Sequence, residues 1–422
     1  MKYIVPVLLL TFSAAHAQLG DTLTLFECHE KVIQADPQHR QLALLETQND
    51  LKTKNIGLNW LPSLDVNGSY TYQSEVVELG EVIPIPGFDA PLMPHYNYKL
   101  TLDIKQNVYD GGLTKSRKEL ERTTFEASRQ QVEVELNQLK ERVNQIFFYL
   151  LILQQQEWTV QIMLNELMEK RRVVESGVEN GILMESDLNV MDAEILNVDQ
   201  QLSEILISWQ TAVDMLEKLI NEEIKVETIF EVPEVVLQLD ANSQRPEYQL
   251  FDLQMMNLDA SKNLANTSRK PKMYVFGTVG MGNPALNFFK DELRGYYIVG
   301  AGLHWNIWDW SKTSREREVL TIQQDILQTR KESFDKNLKI QLDEQVSSIR
   351  KLEESIKKDE QIVILREKIS ASSTSQLENG VITSSDYITD LNAETISRIR
   401  LETHKIQLIQ SKINYMTIKG EL

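Results

Sequence analysis

The side chains of this chain that could do chemistry are scattered along the sequence. Among the histidines, His29, His39, His304 and His404 form no pair with the spacing of metal ligands, so the sequence predicts no zinc site. Serine, histidine and aspartate are all present, but nothing resembles the nucleophile elbow of a hydrolase. The sequence therefore predicts a protein without catalytic residues, metal or cofactor.

Two properties of the composition limit the kind of protein that this chain can be. Cys28 is the only cysteine, so no intrachain disulfide can form, and its apolar helical context predicts a buried, inert thiol. The net charge of −18 argues against nucleic acid as a partner, because nucleic-acid binding needs basic stripes. The same charge fits a solvated acidic surface or an acidic lumen that favours cations.

The most informative carboxylates belong to a motif that occurs twice. Glu179-Asn180-Gly181-Ile182 precedes Ser186-Asp187, and 199 residues later Glu378-Asn379-Gly380-Val381 precedes Ser385-Asp386. The same offset carries Asp110 onto Asp309, while Pro62 matches Pro271 at an offset of 209. A long unit that repeats once predicts two copies of one structural module.

The motif predicts a reversal of helix direction in each copy. Gly181 and Gly380 are expected to take the left-handed backbone of a tight turn, assisted by Asn180 and Asn379. Asp187 and Asp386 follow at positions typical of a helix start, where a carboxylate complements the helix dipole.

Long heptad seams flank these turns. Apolar residues recur at alternating spacings of three and four, which predicts long antiparallel helices packed as in a coiled coil. The second copy has a looser seam than the first. A second long helix is predicted before the proline motif of each copy, from about Thr22 to Trp60 with a kink at Pro37, and from Pro246 to Ser268. The first seam consists of Leu136, Leu139, Val143, Ile146, Leu150 and Leu153, then Leu188, Met191, Ile195, Val198, Leu202, Ile205, Trp209, Ala212, Leu216 and Leu219.

Segments with a period of two lie between the helices. Apolar and polar residues alternate from Tyr96 to Ile104 and from Tyr297 to Ile307, which predicts strands with one apolar face. A soluble sandwich would show the same alternation, but four strands cannot close a barrel or cover their edges, so several chains must pool their strands. Aromatic residues crowd the strand ends as in a membrane-interface girdle: Tyr70, Tyr72, Tyr96, Tyr98, Tyr297, Trp305 and Trp308.

These features divide the chain. A charged start, an apolar core and a small-residue cleavage site predict a signal peptide at residues 1–17. The first repeat is expected at 18–220, with strands at 64–72 and 96–108 and a tip near residue 181. A connector is expected at 221–245. The second repeat is expected at 246–422, with strands at 272–282 and 296–307 and a tip near residue 380. The proline-rich residues 73–95 are expected to form an external loop.

Taken in order, these parts resemble the TolC-type outer-membrane efflux protein family over essentially the whole mature chain. Leu61-Pro62-Ser63-Leu64 marks the entry to the first strand, and Tyr109-Asp110-Gly111-Gly112 marks the exit from the second. The paired turns, in which Gly181 and Gly380 each have an aspartate six residues on, carry most of the resemblance.

The resemblance implies a mainly α-helical fold with a transmembrane β-barrel part. The implied assembly is a homotrimer, in which four strands per protomer are pooled into a twelve-stranded outer-membrane barrel. The long helices would form an α-barrel across the periplasm, and the connector would lie in an equatorial belt. The implied function is a passive exit duct of a tripartite efflux or type I secretion system. The implied partners are a periplasmic adaptor (membrane fusion) protein, an inner-membrane pump of RND, ABC or MFS type, and outer-membrane lipid.

The resemblance also implies roles for the tips. The turns Asn180-Gly181 and Asn379-Gly380 would form the adaptor-docking surface. Asp187 and Asp386 would lie near the periplasmic aperture, where three-fold symmetry makes each a ring of carboxylates that acts as a gate; plain helix capping is the alternative. The best-known pattern of the family has a second carboxylate three residues after the first, but this chain has Val190 and Thr389 at those positions. Asp390, one residue further on, is the remaining candidate for a second carboxylate at the aperture.

A second hypothesis is a periplasmic coiled-coil adaptor or structural protein without a membrane barrel. Adaptors usually carry one hairpin flanked by small β domains, so the duplicated strand pairs favour the channel. An enzyme ranks third, because no convergent polar cluster is present.

Overall fold

The computed structural model describes residues 22–76, 93–237, 243–288 and 290–422. The signal peptide expected at 1–17 and most of the external loop expected at 73–95 lie outside the described residues. The described chain is mainly helical, as the sequence predicts. Its described residues form two compact units: the helical unit (22–39, 135–237, 243–245 and 336–422) and the sheet unit (40–76, 93–134, 246–288 and 290–335).

The duplication holds for the helix before each strand pair, the strand pair and the two long helices, whereas α1 (Leu25–Ala35) has no counterpart in the second repeat. The helices α3 and α6 have 67 residues each, and the helices α4 and α7 that follow them have 36 each. Single 3-10 turns, Leu58–Trp60 and Thr267–Arg269, follow α2 and α5. The elements are β1 (Thr22–Leu23), α1 (Leu25–Ala35), α2 (Pro37–Gly57), β2 (Ser63–Tyr72), β3 (Tyr96–Tyr109), α3 (Leu113–Glu179), α4 (Glu185–Ile220), β4 (Ile229–Phe230), α5 (Pro246–Asn266), β5 (Lys272–Asn283), β6 (Arg294–His304), α6 (Lys312–Glu378) and α7 (Ser384–Lys419).

The helical unit has its core along the predicted first seam. The large side chains of Phe147 and Phe148 on α3 are fully buried, and α1 places Cys28 in the same core. Each such side chain contributes roughly 1.5–3 kcal/mol through its burial. Along α4, buried and half-buried seam positions alternate. The buried positions are Met191, Val198, Ile205 and Ala212, and the half-buried positions are Leu188, Ile195, Leu202 and Trp209.

The sheet unit contains one four-stranded antiparallel sheet in the order β2-β3-β5-β6. Its register puts the apolar residues of all four strands on the same face. One row across the sheet, for example, is Val66, Leu102, Val279 and Tyr297. The opposite face is mixed, and its central carboxylate is Asp103. Asp103 accepts hydrogen bonds from Asn67, Thr101 and Thr278 at 2.5–2.9 Å.

Two predicted elements end elsewhere than expected. The helix predicted from Thr22 to Trp60 is wrong in its form: Thr22–Leu23 is a short strand paired with β4, and α1 and α2 are separate helices. They are separated because Asp36 has an extended backbone (φ −66°, ψ 132°), the conformation that a following proline imposes. The last strand ends at His304, three residues before the predicted Ile307, because its partner β5 begins at Lys272, opposite His304.

Candidate functional site

Both helical hairpins reverse through the same turn. Gly181 and Gly380 have φ angles of +70° and +67°, so the expected left-handed backbone is confirmed. The amides of the next residues, Ile182 and Val381, donate to carbonyls five residues back at 2.8 Å, the bond typical of a Schellman motif. The Asn180 and Asn379 side chains each donate to the carbonyl four residues back at 2.7 Å and so assist the turn.

The predicted aspartates cap the helices that leave these turns. Asp386 Oδ2 accepts hydrogen bonds from the backbone and hydroxyl of Thr383 at 3.2 and 2.7 Å, and Thr383 Oγ1 accepts from the Asp386 amide. These bonds from the Thr383 hydroxyl and amide hold the pKa of Asp386 below its usual range. Asp187 caps α4 in the same way, accepting from the Met184 amide at 3.2 Å.

Asp187 makes a second contact that Asp386 lacks among the described residues. Its Oδ1 accepts a hydrogen bond at 3.3 Å from the amide of Ser384, the first residue of α7. Ile182 also lies at the second tip, since a Cβ on Gly380 would be 3.6 Å from its Cγ2. The two tips of the chain therefore touch, and Asp187 joins them.

Further hydrogen bonds link the two hairpins above the tips. The buried Tyr387 hydroxyl on α7 donates to Glu166 Oε1 on α3 at 3.0 Å, and burial together with the Glu166 charge raises the pKa of Tyr387. Asn392 Nδ2 donates to Glu194 on α4 at 2.8 Å. Lys170 Nζ lies 2.6 Å from Glu378, at the end of α6.

These links were missing from the sequence prediction. Each joins residues about 200 positions apart, so no local pattern announces them, although the 199-residue duplication indicates that the two hairpins are equivalent. The third predicted carboxylate, Asp390, has a different environment. It accepts a hydrogen bond from Ser373 on α6, within the second hairpin.

The predicted girdle residues lie on the sheet unit. Tyr70 and Tyr72 on β2 pair in register with Tyr98 and Tyr96 on β3, and Tyr297 shares their face on β6. Trp305 follows the end of β6, where its Nε1 donates to the carbonyl of Arg269 at 3.0 Å. Trp308 lies edge-on to Trp310 and is 70 % exposed.

The apolar face of the sheet is exposed to solvent in the single protomer. Leu64 and Val66 on β2 are 65 % and 70 % exposed, and Tyr297 and Val299 on β6 are 75 % and 79 % exposed. The exposed apolar residues lie side by side on all four strands, an arrangement that favours an apolar environment or partner.

Neither metal chemistry nor a helical membrane anchor is indicated by the part of the chain that the structure describes. Within those residues no group of three or more His, Cys, Asp or Glu side chains is placed to hold a metal ion. Across the same residues, no helix combines the length and the apolar character that a bilayer crossing requires.

The fold matches solved outer-membrane channels over nearly its whole length. The VceC protein of Vibrio cholerae matches with a TM-score of 0.69 and 14 % identity, covering 94 % of this chain and 96 % of that one. The CmeC channel of Campylobacter jejuni matches with a TM-score of 0.70 and 13 % identity over 94 % and 85 % of the two chains. The open state of the Neisseria gonorrhoeae MtrE channel matches with a TM-score of 0.68 and 13 % identity, covering 94 % of this chain and 88 % of that one.

At these identities the likeness shows the fold alone, which this chain shares with these outer-membrane proteins. A model of the outer membrane efflux protein family matches residues 34–222. The resemblance to the TolC-type outer-membrane efflux protein family is thereby confirmed. No protein with a curated description matches the chain.

Proposed function

We propose that this chain is one protomer of a homotrimeric outer-membrane exit duct, the passive channel of a tripartite efflux or type I secretion system. The observation that carries the proposal is the sheet. It has an exposed apolar face across all four strands, and its outer strands β2 and β6 have no further partner among the described residues. A lipid environment would cover the face, and neighbouring protomers would cover the edges.

The strand directions suit a closed ring. Every neighbouring pair from β2 to β6 is antiparallel, so β2 and β6 run in opposite directions. A second protomer can therefore add its β2 to β6 in the same antiparallel pattern. Three protomers would contribute twelve strands, with the apolar faces toward lipid and the Asp103 face toward the lumen.

The half-buried seam on α4 supports assembly through the helices as well. Leu188, Ile195 and Leu202 recur every seven residues, and in one protomer they are only partly covered. Helices of a neighbouring protomer would complete this seam. In this proposal residues 18–220 and 246–422 are the two repeats, and residues 221–245 form the equatorial connector.

The tips would serve as the docking and gating end. Asn180, Gly181, Asn379 and Gly380 are exposed, so the two turns offer a surface to a periplasmic adaptor, which would connect the duct to an inner-membrane pump. The hydrogen bonds and the ion pair between the two hairpins would keep the channel closed. The gate candidates Asp187, Asp386 and Asp390 would lie at the periplasmic aperture. Asp386 is the exposed carboxylate that can form a ring without first losing a bond to another hairpin.

Cross-linking of the sheet edges tests the trimer. Ser69→Cys on β2 and Ile298→Cys on β6, in a Cys28→Ala background, place thiols on the polar face of the two outer strands. Because the register between protomers is not fixed by one chain, Asn67→Cys and Thr71→Cys are tried in place of Ser69→Cys. Oxidation should give covalent dimers and trimers for at least one pair and none for the single-cysteine controls. Monomer alone for every pair would refute the shared barrel.

Cell fractionation separates the duct from a periplasmic adaptor. The duct should appear in the outer-membrane fraction as a heat-modifiable oligomer. Recovery in the soluble periplasmic fraction would favour the adaptor.

A further inference from the structure

A groove opens in the sheet unit where β3 ends and α3 begins. It encloses about 740 Å³ between the first turns of α3 and the end of α2. Its wall carries the aromatic rings of Trp60 and Tyr109 and the cationic side chains of Lys115, Lys118 and Arg122. This volume is in the range of small-molecule binding sites in proteins.

The cations form one stripe, and two of them are available to a ligand. Spacings of three and four place Lys115, Lys118 and Arg122 on the same side of α3. Arg122 is held by Glu119 and Glu126 at 2.6 and 2.7 Å. Neither Lys115 nor Lys118 has a hydrogen bond or an ion pair within the described residues. The groove therefore offers two ammonium groups that have no hydrogen bond or ion pair, although the charge of Lys115 also acts on Glu119, in a chain whose net charge is −18.

The carboxylates at the groove are already engaged. Asp110 accepts hydrogen bonds from the amides of Gly112 and Thr114 at 2.8 and 2.7 Å, and its carboxylate thereby caps the start of α3. Glu119 is the ion-pair partner of Arg122. A zwitterionic headgroup would find no uncommitted carboxylate for its ammonium, whereas an anionic headgroup would find the two lysines.

The groove is continuous with the apolar face of the sheet. Tyr109 pairs in register with Met273, which lies on that face opposite Leu303. Gln106 donates to the carbonyl of Trp60 at 3.3 Å and so keeps Trp60 beside β3. Amphipathic rings of this kind favour the headgroup level of a bilayer.

We propose that this groove binds an anionic phospholipid, with its phosphate at Lys115 and Lys118 and its acyl chains along the apolar face beside Ile104. The inference rests on the proposed function, because it needs the sheet in a membrane and the helices on one side of it. The lipid would belong to the leaflet on the side of the helices. The second copy keeps a cation, Arg317, where the first has Lys118, but has Ser314 where the first has Lys115, so the pair of cations occurs once in each protomer.

The test uses the detergent-purified full-length oligomer and short-chain phosphatidylglycerol as the probe. Phosphatidylglycerol should raise the temperature at which the oligomer dissociates, because a ligand that binds only the native state stabilises it. Phosphatidylcholine of the same chain length and inorganic phosphate should each raise it much less. The double variant Lys115→Gln/Lys118→Gln should bind phosphatidylglycerol about 30-fold more weakly, as expected when two lysines are removed from an anionic surface.

The matched control is Lys336→Gln/Lys339→Gln, which removes two exposed lysines at the same spacing on α6. It should keep the full response to phosphatidylglycerol. An equal response to phosphatidylcholine, a full response to phosphate alone, or an unchanged response in the Lys115/Lys118 variant would each overturn the lipid site. A conducting trimer that shows any of these results would leave the proposed function intact.

Discussion

Replacing Gly302 by alanine should destabilise the sheet through one identifiable contact. On the polar face, Gly302 and Gly300 lie directly opposite Tyr274 and Phe276. A Cβ on Gly302 would be 2.4 Å from Tyr274 Cζ and 2.6 Å from its hydroxyl oxygen. The phenol ring therefore lies flat over the glycine.

The size of the effect follows from that distance. Carbon atoms in contact need about 3.5 Å, so the ring must move by roughly 1 Å. Overpacking of this kind typically costs about 1–3 kcal/mol. Displacement also weakens the contact of Lys105, whose ammonium lies 4.2 Å from the centre of the Tyr274 ring. We expect Gly302→Ala to lower the free energy of unfolding by about 1–3 kcal/mol.

Urea unfolding of the vesicle-reconstituted protein measures this loss, and Gly277→Ala is the control. A Cβ on Gly277 meets nothing closer than the Ile298 carbonyl oxygen at 3.9 Å, so the control should change stability by less than about 1 kcal/mol. In a Tyr274→Ala background the Gly302→Ala cost should largely disappear, because the ring that clashes is gone. Equal costs in both backgrounds would refute the steric explanation.

Three further predictions concern the helical unit. Burial raises the pKa of the Cys28 thiol to about 12, so a maleimide at pH 7.5 should label the protein only after unfolding; rapid labelling of the native protein would contradict this. Burial, with Lys140 nearby, lowers the pKa of His29, which donates to Asn144 at 2.7 Å. As the pH falls below 6.5 the unfolded state gains this proton before the folded state does, so stability should fall, and a His29→Gln variant with the same fall would contradict this. Tyr387→Phe should lower the free energy of unfolding by about 1–2 kcal/mol and increase channel opening, because it removes the hydrogen bond to Glu166 between the hairpins. A variant with the same conductance as the wild-type protein would argue that this bond does not hold the channel closed.

Features set by local chemistry could be predicted from the sequence. The turns at Gly181 and Gly380 need a left-handed residue, and the seam from Met191 to Ala212 follows from heptad spacing. The break at Asp36 also had a local signal, since Pro37 restricts the residue before it. The predicted kink rests on the effect of Pro37 on the helix alone, whereas its effect on the preceding residue, Asp36, ends α1.

Features set by packing could not be predicted from the sequence. The end of β6 at His304 depends on where β5 begins, although the alternation itself continues to Ile307. The second bond of Asp187, to the Ser384 amide, depends on how the hairpins pack against each other. The spacing of the two tips is the same, so the bond to Ser384 that distinguishes Asp187 from Asp386 has no signal in the sequence.

The most direct test of the exit duct is the conductance of the purified oligomer in planar lipid bilayers. The wild-type protein should insert in discrete steps of low conductance, and the double variant Lys170→Ala/Tyr387→Phe, which removes two links between the hairpins, should give larger steps. Conductance should favour cations, as the acidic chain leads us to expect. Folded trimers of both proteins that insert without carrying current would contradict the channel.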